Sequence, residues 1–184
     1  MTRSHACAAL LGISALALIG AAPPDHLPQC VHGNFAGITQ TLPDGTILGE
    51  PDRGDWGCAG HGGGADAVPA LPGGQAGALG VPAPPPTSLC MTPAAPNPAA
   101  SAVRLQFALP VAQHVSLIVY GRLQGHGPRE TFVARSLIDA DLVVGQFTVN
   151  WDLKNENGVR VEPGIYRAVL VAGEEALCGD IEVQ

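Results

Sequence analysis

The sequence predicts an all-β protein whose carboxyl-terminal part is an antiparallel β-sandwich. From Val103 onward, apolar and polar residues alternate in several short runs, which is typical of half-buried strands. Polar turns containing glycine or asparagine separate these runs, and no helical period is sustained. The chain of 184 residues also contains 24 glycines and 17 prolines, which favour turns and linkers over packed helices.

Residues 1–22 have the layout of a secretory signal peptide. Arg3 supplies a positive charge, an uncharged apolar run extends from Ala6 to Ala22, and small residues at its end provide a cleavage site. An uncleaved membrane anchor is the alternative, but the run is shorter than the roughly 20 residues that a spanning helix needs. We therefore expect an exported protein, periplasmic, cell-surface or extracellular, with no membrane span in its mature form.

Removal of this segment removes Cys7 and leaves four cysteines, namely Cys30, Cys58, Cys90 and Cys178. An even number of cysteines in an exported chain indicates two disulfides, with three possible connectivities. A zinc site is the alternative, but zinc sites normally use closely spaced cysteine pairs, and these four are far apart in sequence. The sequence predicts no metal and no cofactor.

The region between the signal peptide and the sandwich is predicted to have two parts. Residues 23–58 form a small hairpin segment, because Asp44-Gly45 is a typical hairpin turn. Residues 59–102 consist largely of glycine, alanine and proline, which predicts a linker. We expect a Cys30–Cys58 bond to close the hairpin segment, and a Cys90–Cys178 bond to join the linker to the last strand.

The sandwich is predicted to occupy residues 103–184. Three runs alternate most clearly, with inward residues Val103, Leu105, Phe107 and Leu109, then Val115, Leu117 and Val119, then Phe147, Val149 and Trp151. Residues 165–172 are nearly all apolar, as in a central strand. In the last strand Leu177 and Ile181 face inward, so Cys178 is expected on the opposite face.

The most informative stretch runs from Val149 to Ala168. Trp151 and Asp152 end one strand, a polar turn containing Gly158 follows, and Gly164 precedes a second strand that contains Tyr166.

These motifs, with Pro96-Asn97-Pro98 and the two strands that follow it, resemble the immunoglobulin-like domain of flagellar hook-capping proteins. The same kind of domain closes many bacterial secreted and surface proteins. The resemblance covers Pro96 to Gln184 and implies an immunoglobulin-like sandwich without catalytic residues. Gly121 to Gln146 depart from the family pattern, and the family's helical amino-terminal region is absent, so a role in hook assembly is not implied.

The composition limits the classes of partner. The formal net charge is −7 and lysines and arginines are not clustered, which argues against nucleic acid. We expect a non-enzymatic module with a structural, adhesive or surface-display role, and a protein or cell-surface component as partner. The alternative is a module that binds carbohydrate or another ligand, for which Trp56 is the candidate stacking residue.

Several other residues are of types that take part in adhesion, calcium binding or catalysis in some proteins. Arg53-Gly54-Asp55 matches a short adhesion signal, but a turn before Trp56 is the stronger interpretation, and Asp52 and Asp55 lack the spacing of a calcium loop. No nucleophile motif surrounds the serines or histidines, and the paired carboxylates are more typical of solvated loops, so an enzyme is not expected. The residues concerned are Ser101, Ser116, Ser136, His114, His126, Asp139 and Asp141.

Overall fold

The computed structural model describes residues 37–52, 55–59, 85–122 and 131–184. The predicted signal peptide, Cys30 and much of the predicted linker therefore lie outside the described residues. Within the described ranges, no helix is long and apolar enough to cross a membrane.

The described residues form ten strands and no helix, which confirms the all-β prediction. The strands are β1 (Gln40–Thr41), β2 (Ile47–Leu48), β3 (Gly57–Cys58), β4 (Cys90–Ala95), β5 (Val103–Leu109), β6 (Gln113–Arg122), β7 (Thr131–Leu142), β8 (Gly145–Trp151), β9 (Gly164–Ala172) and β10 (Glu175–Val183). Neighbouring strands within each sheet are antiparallel.

Two four-stranded sheets make the sandwich. One has the order β3-β4-β5-β8 and the other has the order β10-β9-β6-β7. Strands from β4 to β10 thus divide between the sheets as in an immunoglobulin-like domain, with the chain crossing from one sheet to the other after β5, β7 and β8. A further mark of that fold is present in β9, where the Tyr166 hydroxyl donates to the Glu162 carbonyl at 2.8 Å.

The core lies between the sheets and is filled by the side chains that alternation predicted to face inward. The inward residues of β5 and β6 are all buried, and Trp151 at the end of β8 is fully buried. Phe107 and Phe147 lie opposite each other in the β5–β8 register, and their rings stack with centroids 5.1 Å apart. Phe147 and Val149 keep some exposure, because β8 is an edge strand.

The predicted hairpin in residues 37–48 is confirmed. Strand β1 pairs with β2 across a turn in which Gly45 has a φ of 94°. The Asp44 carboxylate accepts a hydrogen bond from the backbone N–H of Thr46 at 2.9 Å, which stabilises the turn.

The predicted linker extends too far toward the carboxyl end. Strand β4 lies inside residues 59–102, pairs with β5, and buries Met91 and Ala94 in the core. Alternation did not identify β4, because Pro93 and the alanines that follow it interrupt the pattern. The β4–β5 register shifts between Thr92 and Ala95, and an irregularity of this kind accommodates proline in a strand.

Between β4 and β5, which belong to the same sheet, the chain runs for a short distance beside β10 of the other sheet. The Ala99 N–H donates to the Glu182 carbonyl at 2.7 Å, and the Gln184 N–H donates to the Ala99 carbonyl at 3.0 Å. The peptide bonds Ala95–Pro96 and Asn97–Pro98 are cis. The segment that carries the Pro-Asn-Pro motif thus belongs to the sandwich.

Strand β7 is a single strand of 12 residues that was not among the strands predicted from alternation. Its register with β6 shifts twice, between Leu117 and Ile118 and between Val119 and Tyr120. Each shift interrupts the alternation of side chains along β7, which is why periodicity did not define the strand.

Candidate functional site

One edge of the sandwich is closed by residues Asp55–Cys58, which we call the clasp. The Trp56 N–H donates to the Cys178 carbonyl of β10 at 2.6 Å. The next two residues form β3, in which Gly57 pairs with Met91 and Cys58 with Cys90 of β4. The clasp therefore connects the edge strand of one sheet to the other sheet.

A disulfide fixes one end of the clasp. Cys58 and Cys90 are bonded, with their Cα atoms 4.0 Å apart. The expected pairings Cys30–Cys58 and Cys90–Cys178 are therefore wrong. Cys58 and Cys90 lie directly opposite each other on paired antiparallel strands, where side chains are close neighbours. Cys178 is also disulfide-bonded, and its partner lies outside the described residues.

Trp56 is buried in the core and does not form an exposed stacking platform, so the expectation that it is the stacking residue is wrong. Its ring lies directly over Gly179 of β10, where a Cβ atom would be 2.2 Å from the indole. Its backbone has a φ of 61°, in the left-handed region that non-glycine residues seldom adopt. Among the described residues, no acceptor meets its buried indole N–H.

Three charged residues meet beside the clasp. The Arg167 guanidinium donates to both carboxylate oxygens of Asp180, at 2.6 and 2.7 Å, and both side chains are buried. The Asp55 carboxylate, only 4% exposed, accepts the backbone N–H of Asp180 at 3.0 Å. Burial, reinforced by the negative charge of Asp180, raises the pKa of Asp55 to about 7.

The burial of Asp55 bears on the tripeptide at 53–55. In this conformation the carboxylate is held against β10 and is not exposed to a receptor, which does not favour the adhesive interpretation of the tripeptide. Within the part of the chain that the structure describes, no group of three side chains is arranged to hold a metal ion.

The hairpin of β1 and β2 docks next to the clasp through Asn97. The Asn97 amide donates to the carbonyls of Thr39 at 3.0 Å and Asp180 at 2.9 Å, and its oxygen accepts the Glu182 N–H at 2.9 Å. The backbones of Thr41 and Asn97 exchange two hydrogen bonds. The described residues between 37 and 59 are thus packed against the sandwich and are not a separate unit.

His114 and two carboxylates form an exposed group on the outer face of β6 and β7. The ring nitrogens of His114 lie 2.9 Å from Asp139 and 3.1 Å from Asp141. Hydrogen bonds to Asp139 and then Asp141 raise the pKa of His114. The two aspartates were expected in a loop, but they lie on strand β7. The arrangement pairs charges across two strands.

The end of the sandwich that carries the β5–β6 and β7–β8 turns exposes apolar side chains. Val111, Val143 and Val144 are 56%, 71% and 41% exposed, and we call them the valine tip. The two turns are neighbours, because Leu109 pairs with Gly145 and Gln113 pairs with Leu142.

Acidic side chains lie at the same end of the sandwich as the valine tip. Asp139 and Asp141 precede the β7–β8 turn, and Glu174 and Glu175 lie in the β9–β10 turn at the same end. All four are exposed. Exposed apolar residues with a charged rim are typical of surfaces that bind other proteins.

The long edge of β7 is partly covered by the chain's own β8–β9 loop. The Ser136 N–H donates to the Glu156 carboxylate at 2.5 Å, and Arg135 donates to the Asn155 carbonyl at 3.0 Å. A side chain that accepts a hydrogen bond from a backbone N–H of an edge strand makes that N–H unavailable to a strand from another molecule. The valine tip is therefore a better candidate contact surface than the β7 edge.

The predicted motif residues lie together at the opposite end of the sandwich. The Trp151 and Tyr166 rings meet edge to face with centroids 5.4 Å apart, and the Trp151 indole donates to the Lys154 carbonyl at 2.9 Å. The Asp152 carboxylate accepts the Lys154 N–H at 3.2 Å, and Gly158 has a φ of 74°. Gly164 is the first residue of β9. These contacts hold the β8–β9 connection in place.

Comparison with known proteins gives little guidance. No family model matches the chain, and no curated protein matches it. A DNA glycosylase for alkylpurines from Pseudomonas fluorescens, bound to DNA with an abasic site analogue, is 18% identical, with 50% of this chain and 28% of that chain covered and a TM-score of 0.32.

A β-glucosidase from Listeria innocua was matched in two complexes. Both are 15% identical, with 52% of this chain and 16% of that chain covered, and the TM-scores are 0.33 with isofagomine and 0.31 with glucose. The chain spans less than a third of the length of each of these proteins. Similarity at these TM-scores supports no conclusion about function.

The close approach of Trp56 to Gly179 leads to a prediction. Gly179→Ala is expected to lower the free energy of unfolding by about 1–3 kcal/mol, because the new methyl group overlaps the indole. Urea unfolding of the oxidised protein measures the change. In a Trp56→Ala background the same substitution should cost much less, so the double-mutant cycle should show strong coupling. Equal costs in both backgrounds would show that the indole does not occupy this position.

Proposed function

We propose that the chain is exported and acts as a non-enzymatic, immunoglobulin-like module that binds a protein or cell-surface component, in a structural, adhesive or surface-display role. The observation that carries the proposal is the valine tip with its acidic rim. Loops at one end of an immunoglobulin-like sandwich are a common place for such contacts, because a rigid scaffold positions them.

Export is supported by the cysteines together with the signal-peptide layout of residues 1–22. Cys58, Cys90 and Cys178 are all disulfide-bonded. Disulfides form and persist in oxidising compartments and are rare in the cytosol.

The chemistry of the tip indicates the character of the partner. Three exposed valines provide an apolar centre, and the exposed carboxylates of Glu174 and Glu175 at the same end favour a partner with lysine or arginine at its rim. Burial of Trp56 removes the one aromatic residue that favoured carbohydrate stacking, so the ligand-binding alternative has no observation in its favour.

The proposal is tested by binding of the purified, oxidised protein to envelope fractions of the producing cell. The test variant is Val143→Ser with Val144→Ser, and the matched control is Val159→Ser, which alters a valine that is 61% exposed at the opposite end. We expect the tip variant to lose at least about tenfold in affinity, equivalent to 1.4 kcal/mol, and the control to bind like the wild type. Equal binding by all three proteins, or a cytosolic location of the native protein, would contradict the proposal.

A further inference from the structure

The clasp meets β10 through three consecutive residues of that strand. Trp56 donates its N–H to Cys178 and places its ring over Gly179, while Asp55 accepts the N–H of Asp180. Cys58 is bonded covalently to Cys90, so it stays in place when these contacts break. Asp55 and Trp56 can therefore leave β10 by rotation of the chain just before Cys58.

The charges around Asp55 favour its neutral form. Among the described residues, the carboxylates of Asp180 on β10 and Asp52 raise the pKa of Asp55, and the guanidinium of Arg167 on β9 lowers it. The guanidinium of Arg167 already donates to both oxygens of Asp180. Burial and the negative charge of Asp180 both make an ionised Asp55 unfavourable in this place.

The clasp also contains two unfavourable features that make its closed state easy to lose. Trp56 adopts a left-handed backbone conformation, and its buried indole N–H has no acceptor among the described residues. Both features cost free energy in the closed state, and both are relieved when the residue leaves the core. The contacts with β10 must outweigh them for the clasp to remain closed.

We propose that the clasp is a pH-sensitive contact, closed when Asp55 is protonated and opened when Asp55 ionises. The proposal is independent of what the valine tip binds. Opening uncovers the Cys178 carbonyl and the backbone around Gly179 on β10, which is the edge strand of its sheet. An uncovered edge strand can pair with a strand from another molecule, so the device would control access to this edge.

The direction of the pH dependence follows from the pKa of Asp55. Burial raises it from 3.8 to about 7, so the closed clasp binds the proton more tightly than the open one. The contribution of Asp55 to closure is complete below about pH 4 and is lost as the pH rises through about 7. Across that interval the equilibrium constant for opening of the clasp increases by up to about tenfold per pH unit.

Hydrogen exchange of the oxidised full chain tests the proposal. After correction for intrinsic rates, protection of the amides of Trp56 and Asp180, which bond across the contact between the clasp and β10, should fall at least about tenfold between about pH 5 and pH 8. In Asp55→Asn, which keeps an oxygen acceptor but cannot ionise, the protection should not change with pH. His114→Gln removes a different titrating group and should keep the wild-type pH dependence.

A second measurement does not rely on any variant folding. Carbon-13 NMR of the side-chain carboxyl of Asp55 in the wild-type protein should show a titration midpoint between about pH 5 and pH 7, because opening on ionisation lowers the midpoint from the value of about 7 in the closed clasp. A midpoint below about pH 5 would overturn the proposal. Protection of the Trp56 and Asp180 amides that is independent of pH in the wild type, or that changes equally in Asp55→Asn, would overturn it as well.

Discussion

Replacing Trp151 by alanine is expected to lower the free energy of unfolding by about 3–5 kcal/mol. The side chain is 0% exposed at the end of β8, so the truncation leaves a cavity that neighbouring side chains fill only in part. The change also removes the edge-to-face contact with Tyr166 and leaves the Lys154 carbonyl without the indole donor. Urea unfolding of the oxidised protein, followed by far-ultraviolet circular dichroism, measures the loss.

Trp151→Phe is the matched control for this prediction. Phenylalanine keeps an aromatic ring against Tyr166 but lacks the indole N–H, so its cost should be clearly smaller than that of alanine. If the alanine variant loses less than about 1 kcal/mol, the position of Trp151 at the centre of the core is contradicted.

Asp180→Ala is expected to cost about 3–5 kcal/mol, because it removes the carboxylate that both hydrogen bonds from Arg167 require. Arg167 is buried, and a guanidinium that loses its opposing charge in such a place is strongly destabilising. Chemical unfolding again measures the loss. The variant and the wild type are compared at the same pH, because Asp55 lies next to Asp180 and its pKa is about 7.

The control replaces both partners with apolar residues, as Arg167→Met with Asp180→Leu. The double variant contains no unpaired charge from this pair, so it should be more stable than Asp180→Ala alone. If the double variant is less stable than Asp180→Ala, the ion pair contributes more to the free energy of unfolding than the unpaired arginine costs, and the expectation is contradicted.

Local alternation was sufficient to predict the strands that bury one face. The inward residues of β5 and β6 were identified correctly, because an antiparallel strand with one buried face repeats every two residues. The Asp44-Gly45 turn was likewise identified, because its backbone requirement is local. Cys178 was correctly placed off the core face for the same reason, and it lies in a separate cluster with Tyr120 and Val169.

Features that depend on contacts between distant parts of the chain were not predicted. The disulfide follows from the register of β3 against β4, and nothing in the spacing of four cysteines specifies that register. The burial of Trp56 depends on a glycine more than a hundred residues later, at position 179. Strand β4 was missed because its alanines and proline resemble a linker in composition, although Met91 and Ala94 fill the core.

The candidate sites were only partly accessible from the sequence. An arginine within the apolar strand β9 is a visible signal for a buried ion pair, but its partner Asp180 is known only from the β9–β10 register. The valines at 143 and 144 could be assigned to an exposed turn only once the end of β7 at Leu142 and the start of β8 at Gly145 were known.

We propose an exported protein whose clasp is bonded covalently to the sandwich through Cys58 and Cys90. Peptide mapping without reduction, on native protein from fractionated producing cells, tests it most directly. We predict a Cys58–Cys90 peptide, a second bond between Cys178 and Cys30 once the proposed signal peptide and Cys7 are removed, and recovery outside the cytosol. A Cys30–Cys58 peptide, or free thiols in a cytosolic protein that still begins at Met1, would contradict it.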